Sequence, residues 1–363
     1  MRPGKNIIER DTPMRTLVLY CLIFSIIALG FAQNSRIKFY GYFDLEGEVS
    51  NKDAQAKNFT FDQHHLNFIS IYRLPKNFRL FTEMEWEHGA TIEADGPSTG
   101  KIYLTRAWLE MMLSDKLKFQ FGKILVPFGI YGIMYDATPT YLSTKLPPSL
   151  YGKHENSVGD TTLLYAKYLT GIQSTGTLYL RSWEFTYYLY FTNGRGPNPD
   201  QRDNNANKGI GGRIILNPPF EPLQLGLSYY QDKNGNAYNT DQRALAFDLD
   251  LDFPRFDLET EYIITKGEKV DENKRPNGTF IRQSGYYIQL SYTMKDRFIP
   301  FVRYDYFDPR KSMDGDGTVV QSYGLNITIA SQVYFKNELH FHRFGDPKLD
   351  PYEIYLTSIA VAF

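Results

Sequence analysis

Apolar and polar residues alternate along much of this chain. Between positions 36 and 49 the odd positions are apolar or glycine, whereas the even positions include Asp44, Glu46 and Glu48. A period of two predicts a β-strand whose two faces meet different surroundings. A face against lipid carries no acids, and a strand buried on both faces would not carry three acids on one of them. The pattern therefore predicts a strand between lipid and water.

The same alternation recurs along the chain and predicts about sixteen strands, within a range of roughly 14 to 18. Short turns such as 75–77 alternate with long loops such as 193–207. The outer end of the first strand and that of the last strand both lie on the short-turn side, as an even strand number requires. We therefore expect an all-β fold, a transmembrane up-and-down antiparallel β-barrel in which residues 33–363 form a single domain. The predicted strands are 36–49, 58–73, 77–89, 101–114, 117–124, 171–180, 182–192, 208–217, 222–231, 242–252, 255–266, 282–294, 297–307, 319–331, 333–344 and 352–363.

Residues 1–32 have the composition of a signal peptide. Arg15 precedes an apolar core over 17–29, and small residues after this core favour cleavage behind Ala32. Met14 is an alternative start for such a leader. The single cysteine lies within it, so the mature chain needs no disulfide. The 40 Lys and Arg residues nearly balance the 41 Asp and Glu residues, which gives no support for nucleic-acid binding.

Charged residues fall on one face of the predicted strands. Such a lumen should hold water, because a dry core cannot solvate many charges and about sixteen strands enclose a channel rather than a packed core. Salt bridges that brace the wall are the alternative role. Acids outnumber bases on this face, which favours a general or weakly cation-preferring pore. The residues expected to line the pore are Arg79, Glu83, Glu85, Arg106, Glu110, Asp248, Asp250, Asp257, Glu259, Arg303, Asp305, Lys336 and Glu338.

The alternation fails for longest between Phe121 and Gly171. The predicted loop over 125–160 is the third long connection of the chain, and it is apolar and aromatic where the other long loops are polar. Structureless stretches of this length are uncommon in compact proteins unless they have a function. We therefore expect this loop to pack against other parts of the protein.

Three features of the chain resemble a known family. They are Phe121-Gly122-Lys123 followed by Pro127-Phe128-Gly129, the end of a strand at 190–194, and an alternating last strand that closes on Phe363. Together with the leader and the strand count they resemble bacterial porins, and most closely the porin O and P group of the phosphate-selective type.

The resemblance implies an outer-membrane protein of a Gram-negative bacterium that lets small hydrophilic solutes or ions diffuse passively, often as a homotrimer in the lipid bilayer. It implies that the third long loop folds inward and narrows the barrel, and that barrel assembly machinery recognises Phe363. The residues expected at the constriction are Lys123, Lys145, Lys153 and His154.

Two other functions stay open. A non-conducting anchor or adhesin would use the same barrel and bind partners with its loops, and an outer-membrane hydrolase would need a Ser/His or Asp/His set at the rim. His64 and His65 are adjacent, so strand alternation would send them to opposite faces, and His340 and His342 share a face without a third ligand. We therefore expect no metal and no other cofactor.

Overall fold

The computed structural model describes residues 36–53, 56–91, 99–134, 137–194, 205–233 and 238–363, so the predicted leader (1–32) lies outside the described residues. Within the described part, sixteen long strands form one closed antiparallel barrel. Each long strand pairs with its neighbours along the chain, and the last strand pairs with the first. The predicted up-and-down barrel is confirmed. No helix in the described ranges is both long and apolar enough to cross a membrane.

The strands are numbered here in chain order. Three of them are short and are not counted among the sixteen barrel strands: β2 (Thr60–Asp62), which pairs with β1, and β7 (Lys153–Glu155) and β8 (Thr161–Leu163), which pair with each other. The barrel strands are β1 (Ile37–Ser50), β3 (His65–Leu74), β4 (Phe78–Thr91), β5 (Thr99–Ser114), β6 (Leu117–Leu125), β9 (Tyr168–Leu180), β10 (Trp183–Thr192), β11 (Gly209–Asn217), β12 (Leu223–Lys233), β13 (Asp241–Asp252), β14 (Phe256–Val270), β15 (Pro276–Tyr292), β16 (Phe298–Asp308), β17 (Thr318–Ala330), β18 (Val333–Phe344) and β19 (Tyr352–Ala362).

The two faces of the wall follow the alternation in the sequence. On β13 the side chain of Phe247 is exposed on the outside, whereas its neighbours Ala246 and Asp248 are buried inside. On β18 Leu339 is exposed and its neighbours Glu338 and His340 are buried. An apolar exterior around a charged interior is the arrangement of a transmembrane barrel.

The strand ends differ from prediction in two places. The predicted loop over 267–281 is mostly strand, because β14 and β15 continue to pair up to a turn at 271–275. The predicted strand 58–73 is divided into β2 and β3, both of which pair with β1. The pairing shifts by one residue between them, as a β-bulge requires, and this bulge changes the direction of the side chains beside it.

The longest connection of the barrel runs from 126 to 167 and folds into the lumen. We call these residues, of which 135 and 136 lie outside the described ranges, the inserted segment. It contains a single 3-10 turn at Thr138–Thr140, a short helix α1 (Pro148–Tyr151) and the β7–β8 hairpin. The expectation of an inward-folded third long loop is confirmed.

Candidate functional site

An apolar cluster attaches the start of the inserted segment to the inner wall. The side chains of Val126, Phe128 and Leu150 have no solvent exposure. The ring of Phe128 stacks on that of Tyr165 with 4.2 Å between centroids. This burial explains why the loop is apolar, since its side chains replace water inside the barrel. The wall residues in the same cluster are Phe81, Trp108, Ile124, Leu169, Tyr190, Tyr230, Ala244, Ala246, Ile263, Tyr287 and Phe307.

Tyrosines of the segment bind two acids of strand β14. The Tyr131 hydroxyl donates to Glu259 over 2.7 Å, and the Tyr151 hydroxyl donates to Glu261 over 2.7 Å. The Tyr287 hydroxyl lies between the two carboxylates, 2.5 Å from Glu259 and 2.7 Å from Glu261. Burial, with the nearby acids as a further cause, raises the pKa of Tyr131 and Tyr151 well above the usual phenol value, so both remain protonated donors.

The side chain of Lys336 on β18 binds backbone carbonyls in the middle of the segment. The Nζ atom donates to the carbonyl oxygens of Thr138 and Tyr141, each over 2.6 Å, and to that of Ser143 over 3.2 Å. The adjacent Glu338 accepts a hydrogen bond from the amide of Thr144. An ammonium group has three donors and no acceptor, so these three carbonyls satisfy it completely.

Arg303 and Asp305 on β16 hold the next stretch. Arg303 donates to the Ser143 hydroxyl over 2.8 Å and to the Lys145 carbonyl over 3.2 Å, while its Nε donates to Asp305 over 2.9 Å. The Ser149 hydroxyl donates to the other carboxylate oxygen of Asp305 over 2.8 Å. The acids and bases of the wall therefore serve as a binding surface for the segment.

The predicted pore-lining residues all face the interior, but most of them are already bonded to other residues of the protein. Glu83, for example, accepts hydrogen bonds from Tyr42 and Asn67 and pairs with Arg106, and Asp248 pairs with the buried Arg213. Such groups brace the barrel and the segment, which was the alternative role for these charges. The buried members are Glu83, Glu85, Glu110, Asp248, Glu259, Arg303, Asp305, Lys336 and Glu338, and the partly exposed members are Arg79, Arg106, Asp250 and Asp257.

The partly exposed arginines belong to a stack of rings on β4 and β5. Phe81 and Trp108 lie parallel with 4.6 Å between their centroids. The guanidinium of Arg106 lies over Phe81 at 4.8 Å, and that of Arg79 lies over Trp108 at 5.5 Å. Contacts of this kind fix an arginine while leaving its charge in water. Sequence alternation placed Arg79 and Arg106 inside but gave no sign of the stack.

The four residues expected at the constriction lie on three parts of the chain: β6, the middle of the inserted segment and β7. Lys123 lies on β6, within the predicted strand 117–124, and its Nζ lies 5.1 Å from the Tyr168 ring. Lys145 pairs with Glu48 on β1. Lys153 is exposed on β7. The His154 ring stacks on Phe307 at 3.5 Å and lies 2.8 Å from the Pro148 carbonyl, and burial lowers the pKa of His154 to about 4.

A cavity of about 370 Å³ lies between the inserted segment and the wall, on the side of the long loops. We call it the vestibule. Its lining includes Glu46, His64, Lys145, His340 and His342. His340 and His342 share this face as predicted.

The prediction that His64 and His65 point to opposite faces is wrong. Their rings stack with 3.9 Å between centroids, and both line the vestibule. The cause is the bulge between β2 and β3, which interrupts the alternation at this position. The His88 ring also stacks on that of His64, with 4.8 Å between centroids. Sequence reasoning missed this histidine cluster, since a bulge has no reliable residue signature.

One sequence pattern concerns the hydrolase alternative. Gly-x-Ser-x-Gly, typical of serine hydrolases, occurs at 96–100, of which 96–98 lie outside the described residues. A nucleophile elbow joins a strand to a following helix. Here the pattern leads into strand β5, so its context is not that of an elbow.

The comparisons with known proteins concern the fold. No protein-family model matches the chain, and no curated protein sequence matches it. Solved structures do match over 90% of the chain. One is an anion-selective porin from Comamonas acidovorans, with 14% identity, 99% of its own length covered and a TM-score of 0.65. The chain shares the porin barrel fold.

Two further matches are outer-membrane proteins. OmpT of Vibrio cholerae, solved in a trimer form, has 12% identity, 99% of its length covered and a TM-score of 0.60. The outer-membrane channel DcaP of Acinetobacter baumannii has 9% identity, 97% of its length covered and a TM-score of 0.57. At these identities the similarity extends to the barrel and not to individual side chains.

Proposed function

We propose that the chain is an outer-membrane porin through which small hydrophilic solutes or ions diffuse passively. The observation that carries the proposal is the inserted segment, which lies inside a closed barrel and is held there by wall residues such as Lys336 and Glu261. A barrel of this size without an insertion leaves a wide aqueous channel. A segment bonded across its interior reduces that channel to a defined passage.

The accessible charges of the wall support a weakly selective pore. Arg79 and Arg106 lie on β4 and β5, whereas Asp250 and Asp257 lie on β13 and β14, nearly half of the strand order away around the barrel. Both signs therefore face the passage from opposite sides. Many of the acids on the inner face are bonded either to the segment, as Glu259 is, or to wall residues, as Asp248 is, so they contribute less to selectivity than their number indicates.

Membership of the porin O and P group is a finer part of the proposal. It is supported by the residues Phe121-Gly122-Lys123 and Pro127-Phe128-Gly129, and in the structure the second triplet lies in the first turn of the chain into the lumen, directly after Val126. A preference for phosphate is not included, because the accessible wall carries both signs of charge.

A homotrimer in the outer membrane is the expected assembly. The trimer form of the Vibrio cholerae protein of the same fold supports it. Chemical cross-linking in intact membranes tests this point, and an unchanged monomer band would contradict it.

Planar-bilayer recording of the purified, refolded barrel tests the function. We expect discrete ion-conducting steps, and their absence would refute the porin and favour a non-conducting anchor. Under a salt gradient, Asp250→Lys should move the reversal potential towards anions, since it reverses a charge on the accessible wall. Asp350→Lys, at an exposed position outside the barrel strands, is the matched control and should leave the reversal potential almost unchanged. Equal shifts in both variants would place Asp250 away from the passage.

A further inference from the structure

We propose that His64, Glu87 and His88 form a binding site for a divalent transition-metal ion such as Zn²⁺ at the rim of the vestibule. One ring nitrogen of each histidine and one carboxylate oxygen of Glu87 lie within 4.8 Å of one another. Two imidazoles and a carboxylate are a common set of three protein ligands for zinc, with the fourth position left to water. The inference is independent of conduction, because binding is measured directly.

The hydrogen bonds of the two histidines prepare them for a metal. His64 Nδ1 lies 3.1 Å from a carboxylate oxygen of Glu46, and His88 Nδ1 lies 2.7 Å from one of Asp62. Each carboxylate favours the tautomer with the proton on Nδ1, which leaves the lone pair of Nε2 for an ion. Metal-binding histidines in proteins are usually oriented by a carboxylate partner in this way.

The backbone brings the two histidines together from different strands. The amide of His88 donates to the carbonyl of His64 over 3.1 Å, so the rings are held side by side. The pairing of β4 with β5 is irregular after Glu87, and His88 has a φ of 55°. A positive φ is unusual for a residue other than glycine and often marks a functional position. Here the irregular backbone accompanies the approach of His88 to Glu87 and His64.

An ion can reach this set. The His64 side chain is 28% exposed and the His88 side chain is 50% exposed, and His64 also lines the vestibule. Ligands about 2 Å from a tetrahedral ion lie roughly 3.4 Å apart. The three ligand atoms therefore need to converge, and the stacked rings of His64 and His88 must turn so that both lone pairs point to one ion. The exposed ring of His88 can make this change by rotating about its side-chain bonds.

The neighbouring carboxylates and His65 do not offer an equivalent site. His65 Nδ1 is bonded to Asp44 over 2.9 Å, and its Nε2 lies 3.6 Å from Glu85. These three side chains are at most 5% exposed. A hydrated ion would have to displace buried ion pairs to bind there, which is costly.

Calorimetric titration of the chelator-treated barrel in detergent with ZnCl₂ tests the site. We expect one Zn²⁺ per chain with micromolar affinity, and no comparable binding of MgCl₂, because Mg²⁺ prefers oxygen ligands. His88→Asn should weaken zinc binding at least about tenfold, and asparagine tolerates the positive φ at this position. Glu87→Gln should weaken zinc binding by a similar factor, because it removes the charge of the ligand and keeps the shape of the side chain. No saturable zinc binding by the unaltered barrel would overturn the proposal.

Two controls separate this site from other histidines. His342→Asn changes a second vestibule histidine and should bind zinc like the unaltered barrel. X-ray absorption at the zinc edge should show two imidazole ligands, and one in His88→Asn. Unaltered affinity in His88→Asn and Glu87→Gln, or a loss in His342→Asn equal to theirs, would place the ion elsewhere and refute the assignment.

Discussion

The Nζ atom of Lys336 lies 2.6 Å from the carbonyl oxygen of Tyr141, so a lysine of the barrel wall holds the backbone of the inserted segment. The same ammonium donates to the carbonyl of Thr138, 198 residues away in the chain. Lys336 has no solvent exposure. A buried charge is stable only with its partners in place, because removing them leaves it without solvation. This contact makes the segment a fixed part of the lumen rather than a loose loop.

Replacing Lys336 by Met should loosen the segment. The variant keeps the apolar stem but removes three hydrogen bonds from a charged donor, and we expect attachment of the segment to weaken by about 3 kcal/mol. Single channels should then show larger or more variable conductance, and proteases should cut within 126–167 more rapidly.

The matched control for this variant is Lys311→Met, which removes a lysine from an exposed external loop. It should conduct and resist proteolysis like the unaltered barrel. If Lys336→Met gives the same conductance and the same cleavage rate as Lys311→Met, then Lys336 does not hold the segment.

Gly129 is the second attachment point that a substitution can test. Its φ is 66°, its amide donates to the Ser228 hydroxyl, and a Cβ atom there would overlap Glu261 and the Tyr151 hydroxyl. Gly129→Ala should therefore displace the segment from β14. Its effect on single-channel conductance should be well above the effect that backbone strain alone would cause. Alanine at a positive φ costs about 1 kcal/mol by itself.

Gly159 gives the control for that strain. It lies in the same segment with a φ of 88°, and no atom lies within 4 Å of a Cβ placed there. Gly159→Ala should therefore introduce the backbone strain of an alanine at positive φ without a steric overlap. Thermal unfolding and single-channel conductance of the two variants measure the difference. Equal effects of the two alanines would mean that the contact of Gly129 with Glu261 is unimportant.

The barrel was predictable because its signal is local. Each strand carries its own alternation, and turns such as 331–332 need only neighbouring residues. Even the side on which Glu338 or Asp305 lies follows from counting along one strand. The apolar composition of residues 125–160 likewise indicated that the loop is buried.

The partners inside the barrel were not predictable in the same way. Tyr131 binds Glu259, which is 128 residues later, and no pattern in one sequence links such positions. The sequence therefore indicated charges in water where the structure shows charges bonded to the segment or to other wall residues. His64 and His88 were missed because a bulge and a positive φ, which alternation does not reveal, bring them together.

The pKa of His154 predicts a pH effect on the segment. Burial lowers this pKa from 6.5 to about 4 in the attached segment, so a released segment binds a proton more readily. Attachment should hence weaken as the pH falls from about 6.5 to about 4, by roughly 30-fold at pH 5, with no further loss from His154 below pH 4. We expect more frequent conductance switching over this range.

His154→Gln isolates this contribution. Glutamine has no proton to gain in the range and can still donate to the Pro148 carbonyl, which His154 approaches at 2.8 Å. The switching of this variant should depend less on pH between 6.5 and 4 than that of the unaltered barrel. An identical pH response in the two proteins would assign the effect to other groups.

Phe363 occupies the seam where the barrel closes, and this makes its expected role in assembly testable. Its backbone exchanges two hydrogen bonds with Gly41, at 2.8 and 2.9 Å, and its exposed ring lies edge-on to Phe68 at 5.9 Å. Phe363→Ala keeps the backbone bonds and removes the ring. If the ring is a signal for barrel assembly machinery, the variant should reach the membrane at a much lower level in cells, yet refold in pure lipid and conduct normally.

Phe68→Ala removes the partner ring and is the control. Equal losses for both variants, in cells and in pure lipid, would make Phe363 part of the aromatic girdle and not a signal.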